Sequence, residues 1–229
     1  MSSSDAERIV RDREINTSTL ADVLDGLGRY GALTSRLTRK SGRRKTLVGR
    51  AYTVSWAPVR KRHDITQPMV STWQQVRPFL VPELREARGR VYVAGGGELV
   101  TEAALAGGLS ATYFQELGFE GLVLGGAVRD PRALEALEIP VVASNVVPTD
   151  TQGSYRVVEC GTRCIIENVA IDTGDWIVSD DGGTVVIPDQ IFAEVVQKAQ
   201  SIDELEDGVV SRLKRGERLP DIIDEIGRI

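Results

Sequence analysis

One histidine, His63, is all the imidazole this sequence holds, so a single chain cannot assemble a zinc site from histidines. A Ser-His-Asp or Cys-His triad would have to recruit that same residue from the basic stretch VRKRHDIT. Cysteine is almost as scarce. Cys160 and Cys164 are too few for a disulfide framework and fit a reducing compartment. Spaced as CGTRC, they match neither CxxC nor a paired zinc knuckle, and they read as buried or half-buried free thiols. The five lysines are Lys40, Lys45, Lys61, Lys198 and Lys214. None lies in an apolar strand, where desolvation would lower an amine pKa enough for Schiff-base chemistry. No apolar run reaches the roughly 18 residues of a membrane span. The opening MSSSDAERIVRD lacks the apolar core of a signal peptide, so a cytoplasmic location is expected. Positive charge is not in excess either. Lys+Arg 28 against Asp+Glu 33 leaves a net charge of −5, which argues against nucleic acid as a partner. Catalysis, if there is any, falls to carboxylates, arginines and backbone amides.

What is present is ordinary globular material, 41% hydrophobic and 27% charged over 229 residues. That suits one large domain, with a helical N-terminal segment over about residues 1–30 and a helical C-terminal extension over about residues 189–229. TSTLADVLDGLG predicts a helix capped by Thr17 or Ser18, with Leu20, Val23, Leu24 and Leu27 on one face and Gly28 ending it. Six basic residues in ten come next (RLTRKSGRRK, from Arg36 to Lys45), read as a solvated loop or as an RNA or acidic-protein contact. LVGRAYTVSW predicts a half-buried strand. The Pro-punctuated stretch to about Gly89 reads as irregular, with one short helical signal from Trp73 to Val76.

From Arg90 the pattern alternates. RVYVA, GLVLGG and IPVVAS predict buried strands; ELVTEAALA, LSATYFQELG and PRALEAL predict helices, the last with Pro131 in its first turn. Such spacing implies right-handed crossovers and a parallel sheet. YRVVEC, RCIIEN and DWIVSDDGGTVVIP predict antiparallel strands, with DDGG at a hairpin turn. A long helix from about Asp189 to Arg215 presents Ile191, Val195, Val196, Ala199, Ile202, Leu205 and Val209 on one face. The tail LPDIIDEIGRI predicts a short amphipathic helix. The fold class is therefore α/β, with parallel strands followed by antiparallel ones.

Glycines cluster at 95–97, 107–108 and 125–126. At the carboxyl ends of parallel strands they let backbone N–H groups face a ligand. A dinucleotide fingerprint fails, because Val100 stands where its third glycine belongs, and no GK[ST] P-loop occurs. Arg129-Asp130 comes after an apolar strand and two glycines and immediately precedes Pro131. Such a pair can be a helix cap and an ion pair. It can equally hold a substrate carboxylate in the arginine's planar fork and a divalent metal on the acid.

The stretch GGLSATYFQELGFEGLVLGGAVRDPRALEALEIPVVAS resembles the signature region of the RraA-like family. That family includes class II 4-hydroxy-4-methyl-2-oxoglutarate / 4-carboxy-4-hydroxy-2-oxoadipate aldolases and the regulator of ribonuclease E activity. It also includes proteins once mislabelled as demethylmenaquinone methyltransferases. The resemblance extends through TSTLADVLDGLG, LVGRAYTV, GDWIVSDDGGTVVIP and ELEDGVVSRLKRG, covering about residues 16–216. Its motif is a glycine-containing loop, about twenty residues, then Arg-Asp. By that resemblance Arg129 would bind the pyruvyl carboxylate and the enolate oxygen. Asp130 would ligate Mg²⁺ or Mn²⁺, and backbone amides of Gly107, Gly108, Leu109 and Ser110 would hold the pyruvate end. The resemblance further implies an α/β/α sandwich around a mixed, partly parallel sheet or barrel, and a homotrimer or hexamer with the site between subunits. The expected activity is a metal-dependent retro-aldol cleavage of 4-hydroxy-2-oxo acids, with oxaloacetate decarboxylation through the same enolate. The alternative is a non-catalytic regulator binding an RNA-processing nuclease. The sequence departs from the aldolase pattern at Gly108, where those enzymes carry an acid. Glu98, Glu102 and, from a neighbouring subunit, Glu206 stand as other acids.

Overall fold

The computed structural model describes residues 1–41, 46–60 and 70–227. His63, Lys45 and Lys61 lie outside them, as does the end of the basic stretch. Helices α1 (Ser3–Arg13) and α2 (Thr17–Gly26) lead into strands β1 (Thr38–Ser41) and β2 (Leu47–Pro58). Helix α3 (Thr72–Val76) runs into a 3-10 turn (Arg77–Leu80) ahead of β3 (Arg90–Gly95), β4 (Val100–Ala106) and α4 (Gly108–Leu117). Next come β5 (Gly121–Leu124), β6 (Gly126–Val128), α5 (Pro131–Glu135) and β7 (Val141–Ala143). Strands β8 (Tyr155–Cys160), β9 (Arg163–Ile166), β10 (Val169–Asp172), β11 (Trp176–Ser179) and β12 (Thr184–Ile187) are the last of the sheet-forming segments. Helices α6 (Asp189–Lys214) and α7 (Leu219–Ile226) close the chain.

The main sheet is mixed, as the alternating pattern implied. Its order is β1-β7-β5-β3-β2-β11-β12, with β8 also on β2. The β2, β3, β5 and β7 pairings are parallel, and the flanking ones antiparallel. Side chains alternate across it. Tyr52, Val54, Tyr92 and Ala94 join a core with Phe114 of α4 and Leu134 of α5. Ala51, Val91 and Val93 face the opposite way, onto Cys164, Ile166 and Ile171 of the β9–β10 hairpin. A third core joins Val48, Trp176, Val178 and Ile187 to Ala6 and Val10 of α1, Leu20 and Leu24 of α2, and Phe192, Val195 and Val196 of α6.

Several local expectations are corrected. ELVTEAALA is not a helix: residues Val100–Ala106 form β4, paired in parallel with β6. Its Ala- and Glu-rich composition favours a helix, yet Ala103 to Ala106 are all buried and their small side chains let neighbouring backbone approach. The Ala104 N–H donates to Thr149 O at 2.9 Å and the Val100 N–H to Gly125 O at 3.0 Å. Asn16, not Thr17 or Ser18, caps α2, its Oδ1 accepting from the Thr19 N–H at 2.8 Å. Thr17 bonds instead to Asp180 in the β11–β12 turn, through its N–H at 2.8 Å and its hydroxyl at 2.6 Å. The described part of the basic stretch is edge strand β1, pinned by Lys40 Nζ donating to Ser144 O at 2.9 Å. On α6 the apolar face is buried through Ala199, whereas Leu205 is exposed and Val209 half-buried.

Candidate active site

Strands β4 and β6 end side by side, Ala106 paired with Val128 in a parallel ladder. The turns leaving the two strands therefore emerge at one place: Gly107-Gly108 after β4, and Arg129-Asp130 after β6. Carboxyl ends of parallel strands are where α/β sheets gather ligands. The Arg129 N–H donates to Ala106 O at 3.1 Å, which fixes the register of the two turns. Gly107 is extended, and Ser110 holds it from both sides: Oγ accepts the Gly107 N–H at 3.0 Å and donates to Gly107 O at 3.0 Å.

Asp130 does two things. Its carbonyl accepts the Ala133 and Leu134 N–H groups that start α5, while its carboxylate makes no hydrogen bond to that helix. Instead Oδ2 accepts the Gly108 N–H at 3.1 Å, at the amino end of α4, where the helix dipole favours an anion. The side chain that looked like a cap for its own helix thus serves the neighbouring one. To reach it, Asp130 adopts φ 60, ψ 54. That left-handed conformation costs a non-glycine residue about 1 kcal/mol or more and is concentrated at functional sites.

Gly107 is required by close approach. A Cβ there would stand 2.7 Å from Arg129 Cγ and 2.8 Å from Asp130 Oδ2. At Gly108 a Cβ would fall 2.4 Å from Ala133 Cβ. An acid at 108, the residue type the resemblance led one to expect, therefore does not fit while α5 stays where it is. Arg129 lies between two carboxylates, its Nε 3.7 Å from Asp130 Oδ2 and its Nη1 3.5 Å from Asp150 Oδ2.

The pair opens on a cavity of about 590 Å³. Arg129, Asp130 and Asp150 supply most of its charge; Trp73, Phe79, Leu80, Leu109 and Tyr113 supply an apolar wall. Phe79 is anchored in the aromatic core, edge-on to Phe114 at 6.2 Å, and its carbonyl accepts the Tyr92 hydroxyl at 3.0 Å.

Gly107, Ser110, Arg129 and Asp130 line this cavity together, with Gly108 directly behind and Leu109 88% exposed at its mouth. Glu98, Glu102 and Glu206 are not among its lining residues. Glu102 instead accepts the Tyr155 hydroxyl, which holds the carboxyl below its usual range, while burial and that partner push the phenol up to about 12. Burial pushes the thiols up to about 11 at Cys160 and about 12 at Cys164, so neither is a nucleophile at neutral pH. Asp150 escaped the sequence reading. It follows no glycine, and its segment reaches the site through bridges to Ala104 of β4, itself misread as helix, and to Val128 of β6. Its position beyond the parallel strand β7 was the available signal.

Among the described residues no cluster of three or more His, Cys, Asp or Glu is placed to hold an ion, and no helix is long and apolar enough to cross a membrane.

The chain is similar to known proteins in sequence and in fold. A 4-hydroxy-4-methyl-2-oxoglutarate aldolase of Halalkalibacterium halodurans, so named with the qualifier putative, is 30% identical over 219 residues, 92% of each chain. Protein DlpA of Legionella pneumophila is 27% identical over 206 residues, 89% of this chain but 31% of DlpA, so the chain spans under a third of that relative. Streptomyces coelicolor RraAS2, described as an unusual member of the RNase ES inhibitor RraA protein family, superposes with a TM-score of 0.74 at 24% identity, over 92% of this chain and 98% of that one. At that identity the likeness is one of fold. The RraA-like family model (Aldolase/RraA) matches residues 17–186, which contain both site turns, and the chain belongs to that family.

Proposed function

We propose that this protein is a divalent-metal-dependent C–C lyase. It cleaves 4-hydroxy-2-oxo acids to pyruvate by a retro-aldol reaction and decarboxylates oxaloacetate through the same enolate. One observation carries the proposal: Gly107-Gly108 and Arg129-Asp130 lie within hydrogen-bond reach, Gly108 N to Asp130 Oδ2 at 3.1 Å, at the floor of a cavity that no lysine lines among the described residues. Without an amine for a Schiff base, the enolate has to be stabilised electrostatically. The name carried by the H. halodurans relative points the same way.

The donor set suits a metal of limited protein coordination. Asp130 Oδ2 takes one N–H, and Oδ1 makes no hydrogen bond among the described residues. Mg²⁺ keeps several waters and binds through one or two carboxylates, so Asp130 alone can hold it, or Mn²⁺. The ion, when bound, supplies Lewis-acid polarisation of the 2-oxo group. The chain's own groups do the rest. The guanidinium of Arg129 receives the substrate carboxylate and the developing enolate oxygen through its planar fork. The amides of Gly107, Gly108, Leu109 and Ser110 hold the pyruvyl end, and the Phe79–Leu80 wall excludes water.

Subunit assembly completes the proposal. Leu205, Val210 and Leu213 leave apolar surface on the outer half of α6, which we assign to contacts in a homotrimer or hexamer. Light scattering at micromolar concentration should show a multiple of the 24.9 kDa chain; a monomer would remove this part.

The decisive assay supplies Mg²⁺ and measures pyruvate released from 4-hydroxy-4-methyl-2-oxoglutarate and from oxaloacetate. Release above the metal-only blank is expected. None would leave the alternative, a regulator that binds an RNA-processing nuclease.

A further inference from the structure

We propose that Asp150 is the general base of the cleavage, taking the proton of the substrate's 4-hydroxyl and returning it to the enolate carbon. This rests on the lyase function proposed above.

Retro-aldol cleavage needs a group that accepts a hydroxyl proton, and the cavity offers few. Arg77 and Arg129 are donors with no acceptor atom. The Ser110 hydroxyl is bonded on both sides to Gly107. Tyr113 offers a phenolic hydroxyl in place of a carboxylate. Asp130 is committed to the Gly108 N–H and to the metal. No lysine, histidine or cysteine lines the cavity among the described residues. Position 108 cannot supply an acid, because a side chain there meets Ala133. Asp150 remains.

Its placement suits the task. Asp150 Oδ2 lies 3.5 Å from Arg129 Nη1, whereas Asp130 Oδ2 approaches a different nitrogen, Nε, at 3.7 Å. The hydroxyl to be deprotonated stands two carbons from the oxo group, so its base must flank the clamp and not sit on it. The carboxylate is also held in place: Oδ1 accepts the Gln152 N–H at 3.0 Å, and Asp150 bridges Ala104 on β4. A base fixed in this way needs no reorganisation when substrate arrives.

The step balances without a further reagent. The 4-hydroxyl proton passes to the Asp150 carboxylate and C4=O forms as the C3–C4 bond breaks. The bonding pair stays on C3 as the pyruvate enolate. The Asp150 carboxylic acid then protonates C3, releasing pyruvate and the carbonyl product and restoring the carboxylate. Oxaloacetate decarboxylation breaks a C–CO₂⁻ bond and has no hydroxyl proton to remove.

Asp150→Asn therefore separates the two reactions. With Mg²⁺ supplied, cleavage of 4-hydroxy-4-methyl-2-oxoglutarate should fall about 10²–10⁴-fold, the scale of a lost general base, and the ratio of cleavage to decarboxylation should fall by a similar factor. Calorimetric binding of oxalate, a planar mimic of the enolate, with and without Mg²⁺, should be no weaker than in the wild type, since the clamp is intact. Equal loss of both reactions together with weaker oxalate binding would make Asp150 a positioning residue for Arg129 and overturn the proposal. So would unchanged cleavage. A wild-type protein that processes neither substrate would instead defeat the lyase assignment itself, and the role of Asp150 with it.

Discussion

The α1–α2–α6 layer and the β4–α4/β6–α5 corner are both buried against strands, but they are built on opposite terms. In the helical layer, positions at helical spacing are apolar and one face meets the sheet: Leu20, Val23 and Leu24 on α2, and Phe192, Val195, Val196 and Ala199 on α6. Periodic burial of apolar area stabilises it, and its one left-handed non-glycine residue, Glu14 at φ 51, lies at the exposed cap between α1 and α2. The corner instead carries a left-handed Asp130, two glycines with no room for a Cβ, and a cation held between two carboxylates. A stable layer tolerates no loss of volume; a chemical corner tolerates no gain of it.

That contrast breaks most sharply at Asp130. Asp130→Asn keeps a side chain suited to the left-handed region and an oxygen for the Gly108 N–H, yet it removes the charge. Pyruvate release should drop to the metal-only blank while the melting temperature changes little; a variant that melts early yet turns over normally would make the pair structural. In the helical layer the effects should reverse. Phe192 stacks on Trp176 at 4.1 Å, so Phe192→Ala should cost about 3–5 kcal/mol in denaturant titration and leave activity per folded molecule intact. Arg129→Lys replaces a planar fork by a point charge. It should lower kcat about 10²–10³-fold with little change in stability, read from steady-state kinetics. Gly108→Asp tests the volume argument. Collision with Ala133 should cost about 1–3 kcal/mol, and the double variant with Ala133→Gly should recover stability measured by urea unfolding.

The smallest effect concerns the thiols. Burial holds Cys160 and Cys164 protonated up to about 11 and about 12 in the folded chain, against 9.0 for an ordinary thiol. Because the folded state keeps protons that the unfolded state releases, this stabilisation is complete below pH 9 and is lost as pH rises through those values. Unfolding at fixed urea should show a downward slope above about pH 9 that a Cys160→Ala, Cys164→Ala variant shows less steeply. Native thiols should label more slowly at about pH 8 than urea-unfolded ones.

Legibility in the sequence follows the same division. The α2 and α6 helices, the strands β2, β3, β5 and β7 and the DDGG turn all declare themselves through short-range patterns, since periodicity and turn chemistry are local properties. Arg129-Asp130 was also legible, as a charged pair between an apolar strand and a helix-starting proline. Three things were not. Val100–Ala106 carries helical composition, and only pairing with β6 and burial on both sides make it a strand. The capping duty of Asp130 crosses to a different helix. Asp150, about twenty residues downstream, reaches Arg129 because its segment is bridged to that misread strand at Ala104 and to β6 at Val128.

The sequence by itself determined the class of fold, the scarcity of histidine and lysine, and the two turns that line the candidate site, because composition and spacing are carried by neighbouring residues. Tertiary structure alone decided that those turns share one cavity, that no side chain fits at 107 or 108, and that Asp150 flanks the arginine. These depend on the register between β4 and β6, which is set by hydrogen bonds and close approach between segments far apart in the chain.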